Sequence, residues 1–178
     1  PGDGQTAGKQ ERGDLGAVVI APHYRVHPEN KQPAQLNDCH AAYQWALDHA
    51  EELNIDPDCI ILTGYSIGAM MALGLAFRLK RYGIVPRGLS LVAPPVDDMA
   101  SGPSSRFSFA NENLGCEERE VTWHSFFGSE RVANPTLTPE IVPNHCSIED
   151  LKGFPPLYMH IFDSDPNRDE DMEFASKL

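Results

Sequence analysis

Gly64-Tyr-Ser-Ile-Gly68 stands between a short apolar run, Cys59-Ile-Ile-Leu-Thr63, and a long one from Ile67 to Tyr82. The short run has the length of a buried strand. The long one reads as a helix stopped by Gly83, with Arg78, Lys80 and Arg81 at its negative end. A serine hydroxyl is a poor nucleophile unless it projects to where a base can reach it. A sharp strand-to-helix turn projects it, at the cost of a strained serine backbone that crowds the residues two before and two after. Ser66 is therefore the candidate nucleophile, and Gly64 and Gly68 are the candidate glycines of the turn. The backbone N–H of Ile67, at the start of the helix, would form half of an oxyanion hole. A chance pentapeptide in an ordinary turn is the alternative, and the flanking strand and helix argue against it.

Working outward, Gly16-Ala-Val-Val-Ile-Ala21 is a continuous apolar run that predicts a strand covered on both faces, after a loop over residues 1–14. Leu36, Cys39, Tyr43, Ala46, Leu47, Ala50 and Leu53 recur at helical spacing, so a helix is expected from Pro33 to Leu53 with Asn54 as its stop. Arg87–Ala93 and Pro156–Phe162 read as further strands, and Met172–Leu178 as the start of a helix. Small residues at Ala69, Ala72, Gly74 and Ala76 would let the helix after Ser66 lie close to the sheet. Strand, helix, strand, helix, strand is the order of a parallel sheet with helical crossovers, an α/β fold in a single domain over residues 1–178. Residues 94–153 interrupt it. A connection of about sixty residues in a compact domain is usually functional, and this one is expected to contribute to a substrate pocket.

Composition narrows the function classes. Apolar residues are 41% and charged residues 22%, a globular balance. Asp and Glu outnumber Lys and Arg by 26 to 14, a net charge of -12 that repels phosphate backbones and excludes nucleic acid as the expected partner. No run reaches the roughly 20 apolar residues of a membrane span. Neither a leader sequence nor an Asn-x-Ser/Thr site is legible, which favours a cytoplasmic location. Cys39, Cys59, Cys116 and Cys146 are scattered, without metal-binding spacing, so no metal and no cofactor is expected. Cys39 and Cys59 fall in apolar stretches and read as buried thiols.

Three stretches together resemble the hormone-sensitive-lipase-like family of carboxylesterases, which has the α/β-hydrolase fold. Tyr24-Arg-Val-His-Pro-Glu29 is similar to the family's Asp-Tyr-Arg-Leu-Ala-Pro-Glu, and Gly64-Tyr-Ser-Ile-Gly-Ala69 to its Gly-Asp-Ser-Ala-Gly-Gly. Gly153-Phe-Pro-Pro156 and Asp165-Pro-Asn-Arg-Asp-Glu170 are close to its Leu-Pro-Pro and Asp-Pro-Leu-Arg-Asp-Glu. The resemblance covers about residues 15–178 and implies an ester-cleaving enzyme with a small-molecule substrate. It also implies that Asp165 is the acid of a catalytic triad, holding a histidine and stabilising its imidazolium. From the residues alone Asp163, Asp165 and Asp169 read equally as turn formers, with Asp163 the second choice. Tyr65 and Ile67 stand where the family has Asp and Ala, which makes the pocket floor bulkier and less polar.

In this fold the triad histidine follows the acid, yet no histidine follows Asp165. The seven present are His23, His27, His40, His49, His124, His145 and His160, of which His124 and His145 fall in the insert. The family's upstream His-Gly-Gly-Gly loop is also absent, so the expectation is a chain truncated at both ends and inactive alone. Two other readings share the fold: a receptor-like binding protein, and an arylformamidase-type enzyme that cleaves an amide. Oligomeric state is not legible.

Overall fold

The computed structural model describes residues 8–12, 16–99, 101–107, 123 and 137–178, with the backbone alone at 8–12, 106 and 107. The chain forms β1 (Gly8–Arg12), β2 (Ala17–Ala21), α1 (Ala34–Asp48), α2 (Ala50–Leu53), β3 (Ile61–Tyr65) and α3 (Ile67–Arg81). It continues through β4 (Gly88–Val92), α4 (Pro103–Phe107), a 3-10 turn (Pro143–His145), α5 (Ile148–Leu151), β5 (Leu157–His160) and α6 (Arg168–Ser176). Strands β3, β4 and β5 are hydrogen-bonded in that order in a parallel sheet. Their register brings three ends level: Tyr65 lies against Val92, and Val92 against His160.

Helix α3 is the centre of the fold. Its Ala69, Ala72, Leu73, Ala76 and Phe77 are buried with Leu89 and Leu91 of β4, Val96 and Phe174. Its Met70, Met71, Leu75 and Leu79 are buried with Leu36, Cys39 and Tyr43 of α1 and with Val142. Each fully buried Leu or Phe contributes about 1.5–3 kcal/mol by leaving water, so a helix apolar all round must be enclosed. Gly74 serves the outer side of this packing and not the sheet side. A Cβ there would stand 2.2 Å from the Glu140 carbonyl oxygen, so the missing side chain lets residues 137–142 pass. The Glu140 carboxylate then ties Arg78 at 2.9 Å and Arg81 at 2.7 Å.

Several expectations need correction. Residues 8–12 are a strand rather than loop, and β2 pairs antiparallel with it, from Gly8 opposite Ala21 to Arg12 opposite Ala17. The connection turns at Gly16, whose φ is +59°. An apolar run says that backbone groups must be paired but not with which neighbour. The expected cover on both faces is not found among the described residues: β2 is only half-buried along its middle, and β3 and β5 each expose one face. Leu62, Leu157 and Met159 pack on the core, while Ile61, Tyr65 and Tyr158 are exposed. The expected helix over 33–53 breaks at His49 into α1 and α2, and Asn54 closes it in the left-handed conformation at φ 52°. Cys59 is exposed because it belongs to the turn before β3, its N–H donating to the Asp56 carbonyl. No described helix is long and apolar enough to cross a membrane.

An ion pair ties the segment between β2 and α1 to α1. Arg25 donates from Nε at 2.9 Å and from Nη2 at 2.7 Å to the two Asp38 oxygens, and its backbone N–H donates to the same carboxylate at 2.9 Å. The hydrogen bond to Arg25 holds the Asp38 carboxyl below its ordinary value. A depressed folded value means stability that is present above the unfolded pKa of about 4 and lost as pH falls through the folded value. Asp38→Asn is therefore expected to lower the melting temperature by a few degrees at pH 7. The gap from wild type should narrow as pH falls below about 4 and on through the lowered folded value, because the folded state then takes up the proton that the unfolded state already holds. A gap that does not narrow at all over that range would show that the charge is not what fastens the segment.

Candidate active site

Ser66 lies immediately after β3 with φ 53° and ψ -123°, a conformation that L residues rarely adopt. Its N–H donates to the Val92 carbonyl at 2.8 Å, so the parallel ladder continues one residue beyond β3. Its carbonyl already accepts from the N–H groups of Ala69 and Met70 at 2.9 and 3.1 Å, the first hydrogen bonds of α3. One residue thus belongs to both elements. The turn closes so tightly that a Cβ on Gly64 would stand 2.3 Å from the Gly68 carbonyl carbon and oxygen and 2.5 Å from the Ala69 nitrogen. The crowding is one-sided. A Cβ on Gly68 would meet nothing within 4 Å, so only Gly64 is held to glycine by space.

Ile67 and Gly68 open α3, and the first N–H groups of a helix have no acceptor within it. They sit at the positive end of the helix dipole beside the Ser66 hydroxyl, where a developing negative charge would be stabilised. On the neighbouring strand end Ala93 also has positive φ, at 48°, and its N–H donates to the His160 carbonyl at 2.9 Å.

Asp165 lies in the loop between β5 and α6, at the same carboxyl edge of the sheet as Ser66. Its Oδ1 accepts from the Asn167 N–H at 2.8 Å and from Asn167 Nδ2 at 3.0 Å. The Asp163 side chain, the second choice, is 98% exposed and among the described residues pairs with Arg168, at 3.4 Å. The rest of the acidic motif reaches into the insert. Asp169 accepts from the Ser104 N–H at 2.7 Å, and the buried Glu170 accepts from the Gly102 N–H at 3.1 Å and from the Ser105 hydroxyl. The bond to Arg168 keeps the Asp169 carboxyl below its ordinary range.

The structure does not bring a histidine to Ser66 or Asp165: among the described residues no hydrogen bond of either goes to an imidazole. His40 stacks on Tyr82, and burial lowers its pKa. His49 bonds the Trp45 carbonyl, and His160 packs on Phe162. His124 lies outside the described residues. His145 pairs through Nε2 with the buried Asp98 at 2.9 Å, and with Asp97 the three offer ligand atoms within 4.8 Å of one another. Sequence spacing hid this group, since Asp98 and His145 are far apart in the chain. The Cys39 thiol is buried, which pushes its pKa up to about 11 and leaves it unreactive at neutral pH.

Residues 12–178 match a family of proteins described as having the alpha/beta hydrolase fold. A carboxylesterase of Mycobacterium tuberculosis is 28% identical over 168 residues, which cover 91% of this chain and 50% of that protein. The hormone-sensitive lipase of Ictidomys tridecemlineatus is 30% identical over 124 residues, covering 68% of this chain and 16% of the lipase. Among solved structures, a bacterial heroin esterase superposes with a TM-score of 0.86 at 32% identity, covering 93% of this chain and 52% of that one. The chain spans about half the length of the carboxylesterase it matches.

The one-sided crowding of the turn gives opposite expectations for its two glycines. Gly64→Ala should destabilise the fold on the order of 2–4 kcal/mol in chemical denaturation, because backbone must move to admit the methyl. Gly68→Ala should be neutral, or stabilising by up to about 1 kcal/mol from helix propensity. Equal losses at both positions would contradict the geometry.

Proposed function

Because this chain belongs to the alpha/beta hydrolase fold family, in the hormone-sensitive-lipase-like branch, we propose that the protein carrying it cleaves carboxylic esters through an acyl-enzyme on Ser66. The observation that carries this reading is the conformation of Ser66, with positive φ at the carboxyl end of β3 and directly before the first residues of α3. Ser66 Oγ would attack the ester carbonyl carbon as a base takes its proton. The carbonyl oxygen, now negative, would accept from the Ile67 N–H. The base would return the proton to the departing alcohol, and water would then release the acid by the same steps in reverse. Asp165 would hold that base in its productive tautomer. The base would be a histidine that follows the acid in the chain order of this fold's triad, beyond these 178 residues; among the described residues no imidazole is hydrogen-bonded to Asp165. The insert over residues 94–153 would line the substrate pocket.

The reading is tested on the full gene product with a panel of p-nitrophenyl esters and matched anilides. Turnover of esters above anilides is expected. Ser66→Ala should lower kcat at least about 10³-fold, because members of a triad act as a unit. Activity retained by Ser66→Ala would refute the assignment. Ligand binding without turnover by the wild type would mark a receptor-like protein, and preference for anilides an amidase.

A further inference from the structure

The acidic motif after β5 has more contacts than a turn requires, and they lead into the insert. Ser104 Oγ, in α4, donates to the carbonyl of Pro166 at 3.0 Å, and Ser105 Oγ lies 2.7 Å from the same carbonyl, its one proton shared between that oxygen and the Glu170 carboxylate. Pro166 is the residue after Asp165 and is itself buried. Ser104 Oγ in turn accepts the Asp169 N–H at 3.0 Å. The two segments meet so closely at Gly102 that a Cβ there would lie 2.9 Å from Asp169 Cβ and from a Glu170 carboxylate oxygen.

Pro166 has its φ fixed by its ring, and its carbonyl is held by the Ser104 hydroxyl with the Ser105 hydroxyl beside it. Asn167, the next residue, spends its N–H and its side-chain amide on Asp165 Oδ1. The peptide that follows Asp165 and one of its carboxylate oxygens are therefore both set, and with them the direction of the second oxygen. Local sequence supplies only half of that geometry, since Asn167 could satisfy Oδ1 in a turn of any orientation. The orientation comes from α4, some sixty positions earlier in the chain.

We propose that Ser104 and Ser105 are positioning residues for Asp165, so that the insert which lines the pocket also aims the acid of the triad. The proposal rests on the assignment of Asp165 as that acid. Catalytic rate is thereby coupled to the seating of α4, and a ligand or substitution that lifts α4 lowers kcat without removing any group that touches the substrate. Sequence reading had no signal for this role, because two serines in a Pro- and Ser-rich insert resemble ordinary loop.

The test uses the full gene product and the variants Ser104→Ala, Ser105→Ala and their double. The double variant is expected to lose kcat on the order of tenfold with KM within about twofold of wild type, a fraction of what general acid–base help supplies. The acid limb of the kcat/KM profile should move to lower pH, because a misaimed carboxylate supports the imidazolium less. Ser105→Thr, which keeps a hydroxyl, should restore both. A lowered melting temperature with kcat and the acid limb unchanged would overturn the proposal and leave the serines as a brace. If the double variant does not fold, Ser104→Ala is read alone by the same criteria, since that serine is only partly buried. Asp165→Asn separates the two claims. Wild-type activity in that variant overturns both, whereas its inactivity beside unchanged serine variants overturns positioning alone.

Discussion

A single residue has to end a strand and begin a helix, and the fold is arranged around that constraint. Ser66 donates to Val92 as though β3 continued and accepts from Ala69 and Met70 as though α3 had already started. No residue between them absorbs the change of direction, so Ser66 takes it in its own backbone, at positive φ. Such strain persists only where the surroundings over-determine it. Here they do: β3 is fixed by its pairing with β4, and α3 is enclosed by two apolar clusters that share Leu62 of β3. The absence of a side chain at Gly64 is what lets the two elements close to that distance.

The insert is part of this arrangement and not an ornament on it. Its later part runs along the outer side of α3, across the gap left by Gly74, with Glu140 bridging Arg78 and Arg81 near the helix end. Its earlier part is clasped by Asp169 and Glu170. The His145–Asp98 pair ties the end of the insert to the chain just past β4. Residues that bracket the carboxyl edge of the sheet are thus held by polar contacts with distant segments, in a chain whose net charge of -12 would otherwise push them apart. Each acidic group in these contacts faces an N–H, a hydroxyl, a guanidinium or an imidazole.

Local patterns were legible and pairings were not. The turn at Ser66, the helices on either side of β3, and the strands before and after the insert could be read because each depends on a few consecutive residues. Asn54 and Gly83 mark helix ends in the left-handed conformation expected of them. The antiparallel partner of β2 was not legible, because an apolar run is silent about its neighbour. Nor was the exposure of Cys59, where the strand begins two residues later than the apolar run suggests. Asp165 could be singled out by resemblance alone, since Asp163, Asp165 and Asp169 are equivalent by composition. The clasp of Ser104 and Ser105 on Pro166 lies further still from sequence reading, because it joins segments about sixty residues apart.

The central claim is that the turn presents Ser66 to an electrophile directly over the first N–H groups of α3. It is tested most directly by a crystal structure of the full gene product after reaction with a p-nitrophenyl phosphonate. The account predicts phosphorus on Ser66 Oγ, with a phosphoryl oxygen about 2.7–3.1 Å from the Ile67 nitrogen. Phosphorus on another residue, or a phosphoryl oxygen turned away from the start of α3, would contradict it.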